Sequence, residues 1–177
     1  SPKIIMQALA EIKPIIVIAV PLIIEKVYKS KLKPILEKQG IKIMLKLPGL
    51  DQLVLNKIKA ELMDDFGGNF IEVIIGGAAF NKEVEAFMKR VGFPVTVGYG
   101  MTECAPIIAY DSSRTIKIYS CGKVAPNLEI MIDSPDPQTV PGEVMVKGMN
   151  VFLGYYKNEE ATSQCFTEDG WFRTGDM

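Results

Sequence analysis

Between Phe70 and Tyr99 the chain switches between two periodicities, and that switching limits its fold more than any other feature. Phe70 to Ile75 reads as a strand and ends in Gly76-Gly77-Ala78-Ala79. Asn81 then offers a side-chain cap to a helix expected through Val91. Val95 to Tyr99 reads as the next strand and closes on Gly98-Tyr99-Gly100. Strand, helix and strand within about 30 residues is the crossover unit of a parallel sheet. Ligands in open α/β sheets bind beyond the carboxyl ends of the strands. Both glycine-rich turns are therefore expected to face one crevice.

The flanking segments carry weaker signals. Pro2 to Ile12 has helical spacing of Ile5, Met6, Leu9 and Ile12, and Ile15 to Val20 is a β-branched run as expected of a strand buried on both faces. Leu22 to Gln39 reads as a basic amphipathic helix bent near Pro34, and Asp51 to Phe66 as a helix with Asp51 as cap and Gly67-Gly68 as stop. Lysines 26, 29, 31, 33 and 38 are read as a solvated face rather than a lipid contact. After Ser112 the chain turns to strands and loops. Leu128 to Ile132 and Gly142 to Lys147 are strand-like, Asp133 to Pro137 is a turn, and Asn158 to Gln164 a short helix.

Composition excludes several function classes. The 177 residues are 48% hydrophobic with a net charge of −1, which argues for a packed core and against a nucleic-acid binder. Histidine is absent, so a Ser-His-Asp or Cys-His site cannot lie within these residues. Cys104, Cys121 and Cys165 form no CxxC pair and read as free thiols of a reducing cytoplasm. No signal peptide is read at the N-terminus, and the apolar stretch from Ile12 to Ile24 is interrupted by Lys13, Pro14 and Pro21, so no transmembrane segment is expected.

Three clusters stand out, and two of them carry chemistry-bearing residues. Gly98-Tyr99-Gly100-Met101-Thr102-Glu103 combines glycine turns, an aromatic face, a hydroxyl and a carboxylate. A base can stack on Tyr99, Thr102 can bond a phosphate oxygen, and Glu103 is a hard ligand for Mg²⁺. Most glycine turns after strands are only turns, however, and Glu103 could equally pair with a lysine. In Gly170 to Asp176, Asp176 could accept from a ribose diol or close a surface turn. Val146 to Tyr156 reads as a close-packed loop with no chemistry of its own.

Taken together, the clusters resemble the adenylate-forming superfamily of acyl-CoA synthetases, luciferases and adenylation domains. Tyr99-Gly100-Met101-Thr102-Glu103 resembles its Tyr-Gly-x-Thr-Glu signature and Gly76-Gly77-Ala78-Ala79 the Gly-Gly-Ala segment upstream. Gly142 to Gly148, Gly154-Tyr155-Tyr156, Ala161-Thr162 and Gly170 to Asp176 resemble its later motifs. The Gly-Tyr-Gly-Met-Thr-Glu form and the segment from Val20 to Tyr28 are most similar to long-chain fatty acid–CoA ligases. The resemblance implies an ATP-dependent acid–thiol ligase that makes acyl-AMP and then a CoA thioester, with ATP, Mg²⁺ and CoA. It implies adenine between Tyr99 and the Gly77-Ala78 backbone, and the fatty acid near Gly76 and Gly100. Gly98 and Met101 frame the nucleotide site, Thr102 meets the α-phosphate, Glu103 the metal, and Asp176 the ribose. Thr102 and Glu103 are the expected catalytic pair.

The expected fold is α/β. A parallel-sheet layer with flanking helices (residues 1–112) is followed by a smaller mostly-β subdomain, a distorted barrel (113–177). Both are an incomplete part of a larger N-terminal domain. The family's lysine-bearing phosphate loop is not found, and its later arginine and lysine would follow Met177. The chain thus reads as a middle piece, inactive alone, whose exposed sheet edge favours self-association. Its parent is expected in the cytoplasm, with a peripheral membrane contact open. The alternatives are activation of an aryl acid or amino acid, or a noncatalytic nucleotide- or acyl-binding module.

Overall fold

Strands β1 (Ile16–Ala19), β2 (Glu72–Ile75) and β3 (Val95–Val97) line up in that order as one parallel sheet in the computed structural model, which describes residues 2–177. The register pairs Val17 with Val73 and Val73 with Val95, so a single row of valines crosses the sheet. All three are buried, whereas Ile16 and Ile18 on the other face of β1 are exposed, so this edge strand is buried on one face and not on both as its β-branched run suggests. The chain divides into two units. One runs through Gly98 and resumes over Asp111–Gly122; the other comprises Tyr99–Tyr110 and Lys123–Met177.

The first unit surrounds its sheet with helices α1 (Pro2–Ile12), α2 (Pro21–Val27), α3 (Lys33–Leu36), α4 (Gln39–Met44), α5 (Leu50–Asp65) and α6 (Lys82–Val91). Between α2 and α3 the helix widens into one π turn over Tyr28–Leu32. Pro34 follows it and has no N–H to donate, and its ring would crowd the carbonyl one turn back, so the widened turn relieves the conflict. The bend expected near Pro34 thus falls just before it. Helix α6 has the expected Asn81 cap, whose side chain accepts from Val84 N at 3.2 Å, and ends on Gly92 in the left-handed region. Asp51 is not the cap of α5. Gly49 occupies that place at φ 86°, and Asp51, already in the first turn, reaches back to accept its N–H at 3.0 Å.

Phe66, Phe70 and Phe93 form an aromatic triangle with centroids 5.4–5.8 Å apart in the main core of this unit. Full burial of each ring contributes about 1.5–3 kcal/mol. The segment Asp111–Gly122 is anchored by polar contacts. Glu72 accepts from Ser112 Oγ and Ser113 N, Thr96 Oγ1 donates to Asp111 O at 2.6 Å, and Glu85 accepts from Tyr119 N.

The second unit holds two antiparallel sheets. One contains β4 (Tyr99–Gly100), β5 (Ile107–Tyr110) and β6 (Lys123–Val124); the other β7 (Leu128–Asp133), β8 (Glu143–Gly148) and β9 (Phe172–Arg173). Helix α7 (Glu159–Gln164) precedes β9. Among the described residues neither sheet closes, which corrects the expected barrel. Closure requires every edge to find a partner at consistent tilt. Here β4, β6 and β9 are two residues long, β4 carries a register shift, and the chain leaves for the other unit between β5 and β6. The expected strand from Val95 to Tyr99 is likewise two elements. Its parallel part stops at Val97, and Tyr99 pairs antiparallel with Ala109.

No helix among the described residues is long and apolar enough to cross a membrane. Lys31 of the basic face pairs with Asp65 at 2.5 Å, and lysines 26, 29, 33 and 38 are exposed.

Candidate functional site

In the first unit, Gly76 and Gly98 sit side by side at the carboxyl ends of β2 and β3. Gly98 N donates to Ile75 O at 2.8 Å, and a Cβ on Gly76 would lie 3.8 Å from Gly98 O. Gly77 adopts φ 83°, which a side chain would strain, and Gly77, Ala78 and Ala79 are exposed. The loop therefore presents backbone beyond the strand ends.

In the second unit, Tyr99 and Asp176 meet directly, although 77 positions separate them: Tyr99 Oη donates to Asp176 Oδ2 at 2.8 Å. Gly100 is enforced by packing, because a Cβ there would stand 2.0 Å from Pro106 O, just before β5. Met101 N also donates to Pro106 O, which fixes the entry to the 3₁₀ turn Thr102–Cys104. Thr102 is exposed on that turn, and Cys104 behind it is fully buried. Burial pushes the Tyr99 hydroxyl up to about 12; a hydrogen bond with Thr174 acts the other way, and the Asp176 carboxylate adds to the rise. Burial also raises the Cys104 thiol to about 11, with the Glu103 charge adding to it, so this cysteine is protonated and inert near neutrality.

Asp176 is placed by β8. Val144 N donates to Asp176 O, Thr174 Oγ1 donates to Val144 O at 2.7 Å, and Asp176 N donates to Thr174 Oγ1. Glu143 grips the same stretch, accepting from Arg173 Nη1 at 2.8 Å and from Gly175 N at 3.0 Å. Asp176 keeps a second carboxylate oxygen that can accept from a diol.

Glu103 is held from the loop after β8. Tyr155 Oη donates to Glu103 Oε1 at 2.9 Å, and Phe152 N donates to Glu103 O at 2.8 Å. Asn150 Nδ2 donates to Cys104 O and Ile107 O, bracketing the same turn. The hydrogen bond to Glu103 raises the Tyr155 hydroxyl above its ordinary value. Among the described residues no group of three or more Cys, Asp or Glu could enclose a metal ion. A single half-exposed carboxylate fits Mg²⁺ that arrives with phosphates and keeps most of its water.

The structure thus joins Tyr99 with Asp176 and sets Thr102 and Glu103 on one turn, while Gly76, Gly77, Ala78, Ala79 and Gly98 belong to the other unit. Sequence reasoning missed Glu143, Asn150 and Tyr155. Glu143 and Tyr155 were visible as motif letters. Asn150 gave no signal, because its partners are backbone carbonyls more than 40 positions away.

A family model described as AMP-binding enzyme matches residues 1–156. The chain belongs to this family. It is 31% identical over 199 residues to the long-chain-fatty-acid–CoA ligase FadD15 of Mycobacterium bovis, covering 99% of this chain and 31% of that one. It is also 32% identical over 160 residues to 4-coumarate–CoA ligase 5 of Oryza sativa subsp. japonica, covering 83% of this chain and 29% of that protein. The chain spans about three-tenths of the length of such relatives. Among solved structures it resembles o-succinylbenzoate coenzyme A synthetase from Bacillus subtilis in complex with AMP (TM-score 0.67, 23% identity, 99% of this chain and 31% of that one). It also resembles apo MatB from Rhodopseudomonas palustris (TM-score 0.65, 23% identity, 99% and 30%). These likenesses show the fold. Acyl- and aryl-CoA ligases both stand among the relatives, so the family is fixed more firmly than the narrower long-chain type.

Proposed function

We propose that this chain belongs to an enzyme that activates a carboxylate with ATP to acyl-AMP and pyrophosphate, and then passes the acyl group to the thiol of CoA. The observation that carries the reading is the Tyr99–Asp176 hydrogen bond. It brings the Tyr-Gly-Met-Thr-Glu turn and the Thr-Gly-Asp segment of an AMP-binding family member to one place.

In this reading the Tyr99 ring supports adenine, with stacking worth about 1–3 kcal/mol, and Asp176 accepts from the ribose. Thr102 donates to the α-phosphate as the carboxylate attacks it. Gly100 and Met101 shape the approach beside them. Mg²⁺, when bound, neutralises phosphate charge, and Glu103 is the residue that would hold it. Positioning and charge neutralisation supply most of such a rate enhancement, which suits a chain without histidine.

The acid is not restricted to a long-chain fatty acid. The Gly-Tyr-Gly-Met-Thr-Glu form favours a fatty acid, and the likeness to 4-coumarate ligases favours an aryl acid. An amino acid is disfavoured. Asp65 is already paired with Lys31, and Asp64 is exposed at the end of α5, so neither is set to meet a substrate ammonium. ATP–pyrophosphate exchange in the complete reading frame, with palmitate, 4-coumarate, benzoate and alanine, tests this. Exchange is expected with the fatty or aryl acids and not with alanine, and Glu103→Gln should lower it on the order of 10²-fold. No exchange with any acid, despite ATP binding, would instead support a noncatalytic nucleotide-binding module.

A further inference from the structure

We infer that Tyr155 is a positioning residue for Glu103: its hydroxyl fixes one carboxylate oxygen and so aims the other at a phosphate-borne divalent cation. The inference rests on the proposed role of Glu103. Tyr155 lies in a loop whose glycines and aromatics alone suggest packing, yet the loop is tied to the Glu103 turn at three points. These are Tyr155 Oη on Glu103 Oε1, Phe152 N on Glu103 O, and Asn150 Nδ2 on Cys104 O.

Tyr155 is itself constrained. Its N–H donates to Thr162 Oγ1 at 2.9 Å, and its ring meets Phe152 edge-on at 4.9 Å between centroids. Gly154 before it adopts φ 144°, and a Cβ there would fall 2.5 Å from Thr162 Cγ2, so the close approach of α7 requires glycine. Phe152 in turn contacts Phe166 and the buried Phe172. A tyrosine held at backbone, ring and hydroxyl is a rigid lever, and rigidity is what a single-carboxylate cation site lacks. Groups that orient a metal ligand are commonly worth about 10- to 100-fold in metal affinity.

The test is a Mg²⁺ titration of ATP binding, read by calorimetry, in the complete reading frame with Tyr155→Phe, Glu103→Gln and the double variant. Tyr155→Phe keeps the ring and removes only the hydroxyl. The apparent Mg²⁺ affinity should fall about tenfold, while ATP binding without Mg²⁺ and the melting temperature stay at wild-type values. In the Glu103→Gln background the same change should add nothing, because its target is gone. Unchanged Mg²⁺ dependence in Tyr155→Phe overturns the inference, whether or not the melting temperature falls. A loss that persists undiminished in the double variant also overturns it. If Glu103→Gln leaves the Mg²⁺ dependence intact, the role proposed for Glu103 itself fails.

Discussion

The parallel-sheet unit buries Leu32, Phe66, Val73 and Ile75 without residual exposure, in a core fed by three strands and several helices. The antiparallel unit buries Cys104, Ile108 and Val146 as completely, but around a much smaller cluster. What that unit lacks in apolar volume it makes up with side chains that bond distant backbone: Asn150 to Cys104 and Ile107, Thr174 to Val144, Glu143 to Gly175. Tyr99, Thr102, Glu103 and Asp176 all lie there. The parallel-sheet unit carries such clamps too, at Asp111–Gly122, but beside a large apolar core; in the antiparallel unit the clamps flank a small core and also aim the candidate site residues.

The largest expected effect tests whether the units are independent in energy. Phe66→Ala should destabilise the parallel-sheet unit by about 3–5 kcal/mol, and Phe172→Ala the other by a similar amount. Calorimetry should show each variant lowering a different transition. A single transition that both variants lower equally would break the comparison.

A smaller effect probes the clamps. Asn150→Ala removes two hydrogen bonds, at 2.6 and 3.0 Å. It also removes a buried Oδ1 that has no partner among the described residues, so the cost should sit near the low end of about 1–3 kcal/mol. Asn150→Asp should cost more, because an oxygen would then face the Cys104 and Ile107 carbonyls. Denaturant midpoints of the antiparallel unit check both. If alanine proves as costly as Phe172→Ala, the clamps rather than the small core dominate.

The same contrast explains what could be read in advance. The crossover from Phe70 onward was legible because local periodicity and turn residues decide it, and β2, α6 and β3 lie where expected. That the later sheets stay open was not legible, because closure depends on pairing between segments far apart, and two-residue strands leave no periodic trace. Asp51 misled as a cap because a glycine with positive φ two residues earlier took the position. At the site, side-chain types and motif order pointed to Tyr99, Glu103 and Asp176. The hydroxyl–carboxylate contacts of Tyr99 and Tyr155 span 77 and 52 positions and needed the fold.

Alkaline pH supplies a matched pair of probes. Burial, aided by the Glu83 hydrogen bond, pushes Tyr28 in the first unit up to about 12, and burial does the same for Tyr99 in the second. An unfolded tyrosine titrates near 10. With the folded values raised, the stability from keeping these phenols neutral is fully present below about pH 10 and is lost as pH rises from there through about 12. Melting of each unit should therefore fall across that window. Tyr28→Phe should flatten the loss in the parallel-sheet unit and Tyr99→Phe in the other, with phenolate absorbance assigning the steps. A fall confined to lower pH would implicate other groups.

The smallest expected effect compares one residue type doing one job in both units. Asn81 caps α6, a ten-residue helix with Val84, Met88 and Val91 buried and Gly92 closing its far end. Asn158 caps α7, a six-residue helix with no buried residue, accepting from Ala161 N at 3.0 Å. Removing a cap costs about 0.5–2 kcal/mol where the helix is coupled to a core. Asn81→Ala should thus lower the first transition by roughly 1 kcal/mol, and Asn158→Ala should change global stability by only a few tenths. Thr162 gives the second variant another consequence. Its Oγ1 donates to Asn158 O and accepts from Tyr155 N, so fraying α7 loosens the backbone that carries the Tyr155 hydroxyl. Hydrogen exchange at Ala161 should therefore quicken in Asn158→Ala while the melting temperature holds, and Mg²⁺-dependent ATP binding should weaken in step. Equal losses of global stability in the two cap variants would mean that α7 is as firmly built into its unit as α6, and that the polar unit is less locally organised than its hydrogen bonds indicate.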